Sequence, residues 1–152
     1  MKPNPFRLAA AASGLPDGAT AAAEPAPAPE GSATAAVDYR LARAATLRAW
    51  KSGQLGRHEV CDAQRELHRN AEFCGQPTGR RCPVCAVAGL VEVTYVFGSR
   101  LPKHGRCVTT LAEMRRLQHR ASLSTGYVVE VCTDCGWNHL VRRYTLGGKR
   151  SA

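Results

Sequence analysis

Apolar and polar positions alternate most clearly in LVEVTYVFG (90–98), where Val91, Val93, Tyr95 and Phe97 fall on one side of an extended chain. That period of two predicts a strand. GYVVEVC (126–132) and WNHLVRRYTLGG (137–148) read as two further strands. Elsewhere the period lengthens to that of a helix. In VDYRLARAATLRAWKSGQL (37–55), Leu41, Ala44, Ala45, Leu47 and Trp50 form a broad apolar stripe, with Asp38 as N-cap and Gly53 as terminator. RHEVCDAQRELHRNAEF (57–73) continues as a short helix and a longer one, with Val60, Leu67, Ala71 and Phe73 as the buried positions. TTLAEMRRLQHRAS (109–122) predicts a helix capped by Thr109 or Thr110, burying Leu111, Met114 and Leu117. GQPTGRR (75–81) reads as a loop.

No such period runs through residues 1–36. They hold 13 Ala and 6 Pro, with Phe6, Leu8 and Leu15 as the only large apolar side chains after Met1. AAAEPAPAPEGSATAA (21–36) buries too little surface to offset its ordering entropy, so a disordered tail is expected there. LAAAASGL (8–15) is too short and too weakly apolar for a good secretory signal. No window approaches the ~20 apolar residues of a membrane helix.

Seven cysteines punctuate the rest: Cys61, Cys74, Cys82, Cys85, Cys107, Cys132 and Cys135. An odd number without a secretory signal argues against a disulfide framework. Four of them form two C-x-x-C pairs, CPVC (82–85) and CTDC (132–135). That spacing lets two thiolates converge on one ion while the turning backbone aims N–H groups at the sulfurs, and two such knuckles make a closed tetrahedral zinc site. The 46 residues between the pairs exceed the ~15–20 usual in zinc ribbons. The strand-helix-strand pattern between them accounts for the excess as a helical insertion. Two redox alternatives stay open. A rubredoxin-like iron site also uses two C-x-x-C loops. A thioredoxin-like dithiol needs its pair after a strand and opening a helix, and neither pair opens a clear one. Cys61, Cys74 and Cys107 read as small, buried apolar groups.

The expected fold is therefore α+β: an N-terminal helical arm packed on a three-stranded antiparallel zinc ribbon, with a helical insertion between the two cysteine knuckles. The expected division is a tail at 1–36, the arm at 37–76, and the ribbon at 77–148 with its insertion at about 109–122. Residues 37–148 are expected to form one folded unit. The turn KSGQLGRHEV (51–60) has the outline of a helix-turn-helix, but Glu59, Asp62 and Glu66 would face phosphates badly, so the arm reads as a cap on the ribbon.

The segments VDYRLARAATLRAW, EVCDA, CPVC, LVEVTYVFG and YVVEVCTDCGWNHLVRRYTLG resemble, in this order, an actinobacterial family of small zinc-ribbon proteins that carry a domain of unknown function. The resemblance covers about residues 37–147, and its most distinctive stretch is VVEVCTDCGWNHLVRRY. It implies a bacterial, cytoplasmic protein with a Cys₄ zinc site, and it carries no activity.

Charge adds a partner class. The net charge is +9, and residues 1–36 contribute only Lys2 and Arg7 against Asp17, Glu24 and Glu30, so the positive excess lies wholly past residue 36. Such a balance favours polyanions. Arg80 and Arg81 precede the first knuckle, and Arg142 and Arg143 follow the second. Arg143 shares strand parity with His139 and Val141, which favours it over Arg142 for a polar face. Trp137 and His139 add rings on which bases can stack. The expected function is a non-catalytic zinc-binding (Zn2+) adaptor of the bacterial cytoplasm. It would meet RNA, the ribosome or the transcription machinery through Arg80, Arg81, Arg143, Trp137 and His139, with Cys82, Cys85, Cys132 and Cys135 as metal ligands. The alternatives are a protein-interaction module with no nucleic-acid contact, and a dithiol or iron redox protein. An enzyme is not expected. The chain has no nucleophile elbow, phosphate loop, H-E-x-x-H or deaminase pattern.

Overall fold

The computed structural model describes residues 36–148. The chain runs β1 (Val37–Asp38), α1 (Arg40–Lys51), α2 (Arg57–Val60), α3 (Arg65–Cys74), β2 (Gln76–Arg81), β3 (Gly89–Gly98), β4 (Arg106–Val108), α4 (Leu111–Gln118), β5 (Ser124–Val131) and β6 (Asn138–Leu146). The six strands form one antiparallel sheet in the order β1-β6-β5-β3-β2, with β4 also pairing β3. The tail expected at 1–36 lies outside the described residues except for Ala36.

The expected helical arm on a three-stranded ribbon is not what forms. The three expected strands are β3, β5 and β6, but they are the centre of a six-stranded sheet. The additional strands hide for local reasons. β2 is QPTGRR, whose Pro and Gly read as a loop; both are tolerated because β2 is an edge strand with an irregular register between Pro77 and Arg81. β1 and β4 are two and three residues long, too short to show a period.

The helices lie on both faces of this sheet. β3 and β5 pair in unbroken register from Val91↔Val131 to Gly98↔Ser124. On one face Val93, Tyr95, Val129, Val131 and Leu140 pack under Leu67 and Ala71 of α3. On the other, Val96, Val128, Tyr144 and Leu146 pack under Leu117 of α4, with Met114 beside them. α1 covers the knuckle end of this second face, where Leu47 and Trp50 reach Leu90 and Trp137. Two-sided cover explains why Val93, Val96, Val128, Val129 and Val131 are all buried. Each contributes about 1.5–3 kcal/mol relative to exposure.

Helix boundaries follow their caps. Asp38 Oδ1 accepts the Arg40 backbone N–H at 2.7 Å, although the residue flanking α1 is Tyr39. Thr110 caps α4 by accepting from the Glu113 N–H at 3.2 Å. Phe73 and Leu111, expected inside, are 79% and 74% exposed.

Candidate metal centre

The first C-x-x-C pair sits in the turn between β2 and β3, and the second in the turn between β5 and β6. Pairing of β3 with β5 brings the two turns to one end of the sheet, just past Val91↔Val131. The 46-residue separation in sequence is therefore closed by sheet register.

The two turns have the same construction. Cys82 N–H donates to Ala88 O at 2.9 Å, and Cys132 N–H to Trp137 O at 2.8 Å. Ala86 N–H returns to Cys82 O at 3.1 Å, and Gly136 N–H to Cys132 O at 3.0 Å. The residue after each pair is left-handed, Ala86 at φ 56° and Gly136 at φ 85°. Backbone N–H groups point at the sulfurs: Val84 to Cys82 Sγ at 3.4 Å, Cys135 to Cys132 Sγ at 3.5 Å, and Trp137 to Cys135 Sγ at 3.4 Å.

The four Sγ atoms all lie within 4.8 Å of one another. Cys82 to Cys135 is 3.6 Å and Cys85 to Cys132 is 3.7 Å. Bonds of ~2.3 Å to a tetrahedral zinc ion place sulfurs about 3.8 Å apart. The donor set thus has the size of a single-ion Cys₄ shell. Backbone N–H groups of Ala88 and Val87 bring the Cys85 thiol down to about 6, whereas burial pushes Cys82 and Cys135 up to about 12. Four adjacent sulfurs of this kind are held as thiolates together only when a cation compensates them.

Beneath the thiols lies a second layer that sequence patterning did not reveal. Glu130 is buried in mid-sheet and accepts from Arg43 Nε at 2.5 Å and from Trp137 Nε1 at 2.9 Å. Its Oε2 faces Arg80 Nη2 at 3.6 Å, and Arg80 also reaches Glu92 at 3.3 Å. Trp137 stacks on His139 with centroids 5.9 Å apart. His139 Nδ1 donates to Leu140 O at 2.7 Å, and burial pushes its pKa below the usual 6.5. In the sequence, Glu130 is one polar residue in an apolar strand, and its contacts with Arg43 of α1, Trp137 and Arg80 come from elements distant in the chain or across the turn.

The expected base-stacking role of Trp137 and His139 is corrected by this arrangement. Trp137 has no exposed surface and His139 is buried, so neither ring offers a face to a base. Arg80 is engaged with two carboxylates. Arg81 and Arg143 remain exposed, but they do not converge. Arg81 pairs with Gly89 at the knuckle end, where its Nη1 donates to Ala86 O at 3.2 Å. Arg143 pairs with Tyr127, which pairs with Tyr95. The six residue steps from Gly89 to Tyr95 span roughly 20 Å of strand. A bulge at Val141 also breaks the expected parity: His139 pairs with Glu130 but Arg143 with Tyr127, on opposite faces. No helix among the described residues is long and apolar enough to cross a membrane.

Comparison with known proteins places the chain among relatives of undefined activity. It is 42% identical over 116 residues to the uncharacterized protein Rv0049 of Mycobacterium tuberculosis (strain H37Rv), covering 76% of this chain and 85% of the relative. The uncharacterized protein Mb0050 of Mycobacterium bovis matches with the same identity and coverage. No solved structure matches the chain. The model of the family described as "Family of unknown function (DUF5318)" matches residues 32–152, and the chain belongs to that actinobacterial family.

Proposed function

We propose that the chain is a non-catalytic protein-interaction module whose knuckle end is held together by one structural zinc ion on Cys82, Cys85, Cys132 and Cys135. The observation that carries this reading is the convergence of four sulfurs, from two turns 46 residues apart, within 4.8 Å. A closed set of four thiolates leaves no position for a water nucleophile, which favours a structural over a catalytic metal. Thiolate ligation also needs a reducing compartment, which suits the bacterial cytoplasm. Leu41, Phe73, Val87, Leu111 and Leu123 are large apolar side chains left at the surface on separate elements and loops, where a protein partner would cover them. Elemental analysis of the protein purified without added metal tests the centre. Zinc near one per chain is expected; iron at similar occupancy, or a folded chain free of metal, overturns it.

A second reading keeps the chain as an adaptor for RNA, the ribosome or the transcription machinery. It is favoured by the net charge of +9 and by the exposed Arg81 and Arg143. RNA that co-purifies and resists moderate salt would select it. Proteins recovered without RNA would select the interaction module.

A further inference from the structure

A fifth thiol lies against one sulfur of the metal centre. Cys61 Sγ donates to Cys135 Sγ across 3.6 Å, the same separation as Cys82 from Cys135 within the cluster. Its position is fixed by contacts along the α2–α3 link. Ala63 N–H donates to Gly136 O at 3.0 Å, and Asn138 Nδ2 donates to Asp62 Oδ1 at 3.0 Å. His68 Nε2 donates to the Thr133 carbonyl at 2.6 Å. The fit is close enough that a β-carbon on Gly136 would meet Cys61 O at 3.1 Å. The link and the first turns of α3 are thus clamped along the second knuckle, from Thr133 to Asn138.

A tetrahedral ion with four thiolates has no place for a fifth. Cys61 is then the thiol in reach of a ligand sulfur that is not itself engaged by the ion. From this juxtaposition, and resting on the zinc reading above, we propose that Cys61 is the resolving thiol of an oxidative modification site, which converts Cys135 from metal ligand to disulfide partner. The oxidant is a hydroperoxide. The Cys135 thiolate attacks the peroxide, breaking its O–O bond, and becomes a sulfenic acid as hydroxide leaves. The Cys61 sulfur then attacks the Cys135 sulfur. The S–S bond forms, the S–OH bond breaks, and the Cys61 proton leaves with that hydroxyl as water. Two thiol equivalents lose two electrons and one peroxide gains them. Both residues are half-buried, which leaves them open to a small peroxide. Closing from 3.6 Å to a bond of ~2.05 Å asks for about 1.5 Å of approach between two side-chain sulfurs, while the backbone of the link stays clamped. Three thiolates remain on the ion, and its affinity falls.

The remaining two cysteines provide an internal comparison. Cys74 at the end of α3 and Cys107 in β4 lie on two elements that pack together, apart from the four-sulfur cluster. A disulfide between them would mark oxidation that does not depend on the metal centre.

The test uses the full chain as purified, with its zinc content measured first. Hydrogen peroxide is added, free thiols are blocked, and disulfides are mapped by non-reducing proteolysis while a chromogenic chelator follows zinc release. The Cys61–Cys135 linkage is expected to appear in step with zinc release. The Cys61→Ser variant, which keeps all four ligands, is expected to start with the same zinc content and release it several-fold more slowly. A zinc-loaded chain that gives disulfides only within the four ligands, or only Cys74–Cys107, overturns the assignment of Cys61 and leaves the metal proposal standing. Equal release rates in wild type and Cys61→Ser do the same. A folded chain with no metal at the outset overturns the metal proposal, and this inference with it.

Discussion

The indole N–H of Trp137 donates to Glu130 Oε1 across 2.9 Å, and neither side chain is exposed to solvent. Trp137 also donates its backbone N–H to Cys135 Sγ at 3.4 Å. One residue thus ties the second knuckle to a buried carboxylate, and Arg43 ties that carboxylate to α1. Removing Arg43 leaves Glu130 inside with Arg80 as its remaining cation at 3.6 Å. Arg43→Ala is therefore expected to cost about 3 kcal/mol, since breaking a buried pair strands the other charge. Trp137→Phe retains most of the apolar volume but loses a hydrogen bond to a charged group, for about 1.5–3 kcal/mol. Urea unfolding of both variants measures this. An Arg43→Ala variant as stable as wild type would show that Arg80 alone compensates the buried carboxylate.

How much of this was legible in the sequence depends on the element. The period of β3 and the C-x-x-C spacing are local signals, and both led to what forms: a strand with Val93 and Tyr95 in one core, and four sulfurs within 4.8 Å. β2 was not legible, because an edge strand tolerates the Pro77 and Gly79 that mark a loop elsewhere. Glu92 and Glu130 are single polar residues inside apolar strands, and the sequence pattern alone assigned them no role. They are covered because Arg80 and α1 bring counter-charges that no periodicity records. The bulge at Val141 reverses strand parity, so Arg143 could not be assigned to a face by counting from His139.

The metal centre predicts a local response to chelation. Two apolar clusters, one under α3 and one under α4, do not involve the ligand cysteines, whereas Trp137, Leu90 and Val60 pack around Cys82 and Cys132. Structural zinc sites bind with about 10–16 kcal/mol of apparent free energy, comparable to the whole stability of a domain. Removing the ion with a strong chelator is expected to expose Trp137 and shift tryptophan emission to the red, while far-UV dichroism retains most of the sheet signal. Replacing any one of Cys82, Cys85, Cys132 or Cys135 by Ser is expected to abolish most zinc binding with the same spectral change. Unchanged emission after complete removal of zinc would show that the ion does not hold the knuckle end.

His139 predicts a dependence on pH. Burial lowers its folded pKa from 6.5, so the unfolded chain takes up a proton at higher pH than the folded chain. Between the folded pKa and 6.5 the unfolded state binds more protons, and stability therefore rises with pH across that window. The contribution is complete above 6.5 and is lost as pH falls through the folded value. In His139→Gln the slope of stability against pH below 6.5 is expected to flatten. Zinc content measured at each pH separates this from acid release of the metal. Parallel slopes in the two proteins, at equal zinc content, would remove His139 from the pH response.

Arg81 and Arg143 predict two independent contributions to any polyanion binding. Arg81 lies at the knuckle end beside Gly89, and Arg143 lies opposite Tyr127, roughly 20 Å along the strands. That exceeds the Debye length of about 8 Å at physiological salt, so each charge is screened from the other. Neutralising either one is expected to reduce the log–log salt dependence of single-stranded RNA binding by about 0.7 units for each phosphate contact it makes. The double variant is expected to show the sum of the two single effects, with zinc content unchanged. Filter binding across a salt series decides the matter. A double variant that loses much more than the sum would mean that one phosphate path spans both arginines and that they act as a single surface. No change in any of the three variants would remove both arginines from polyanion binding.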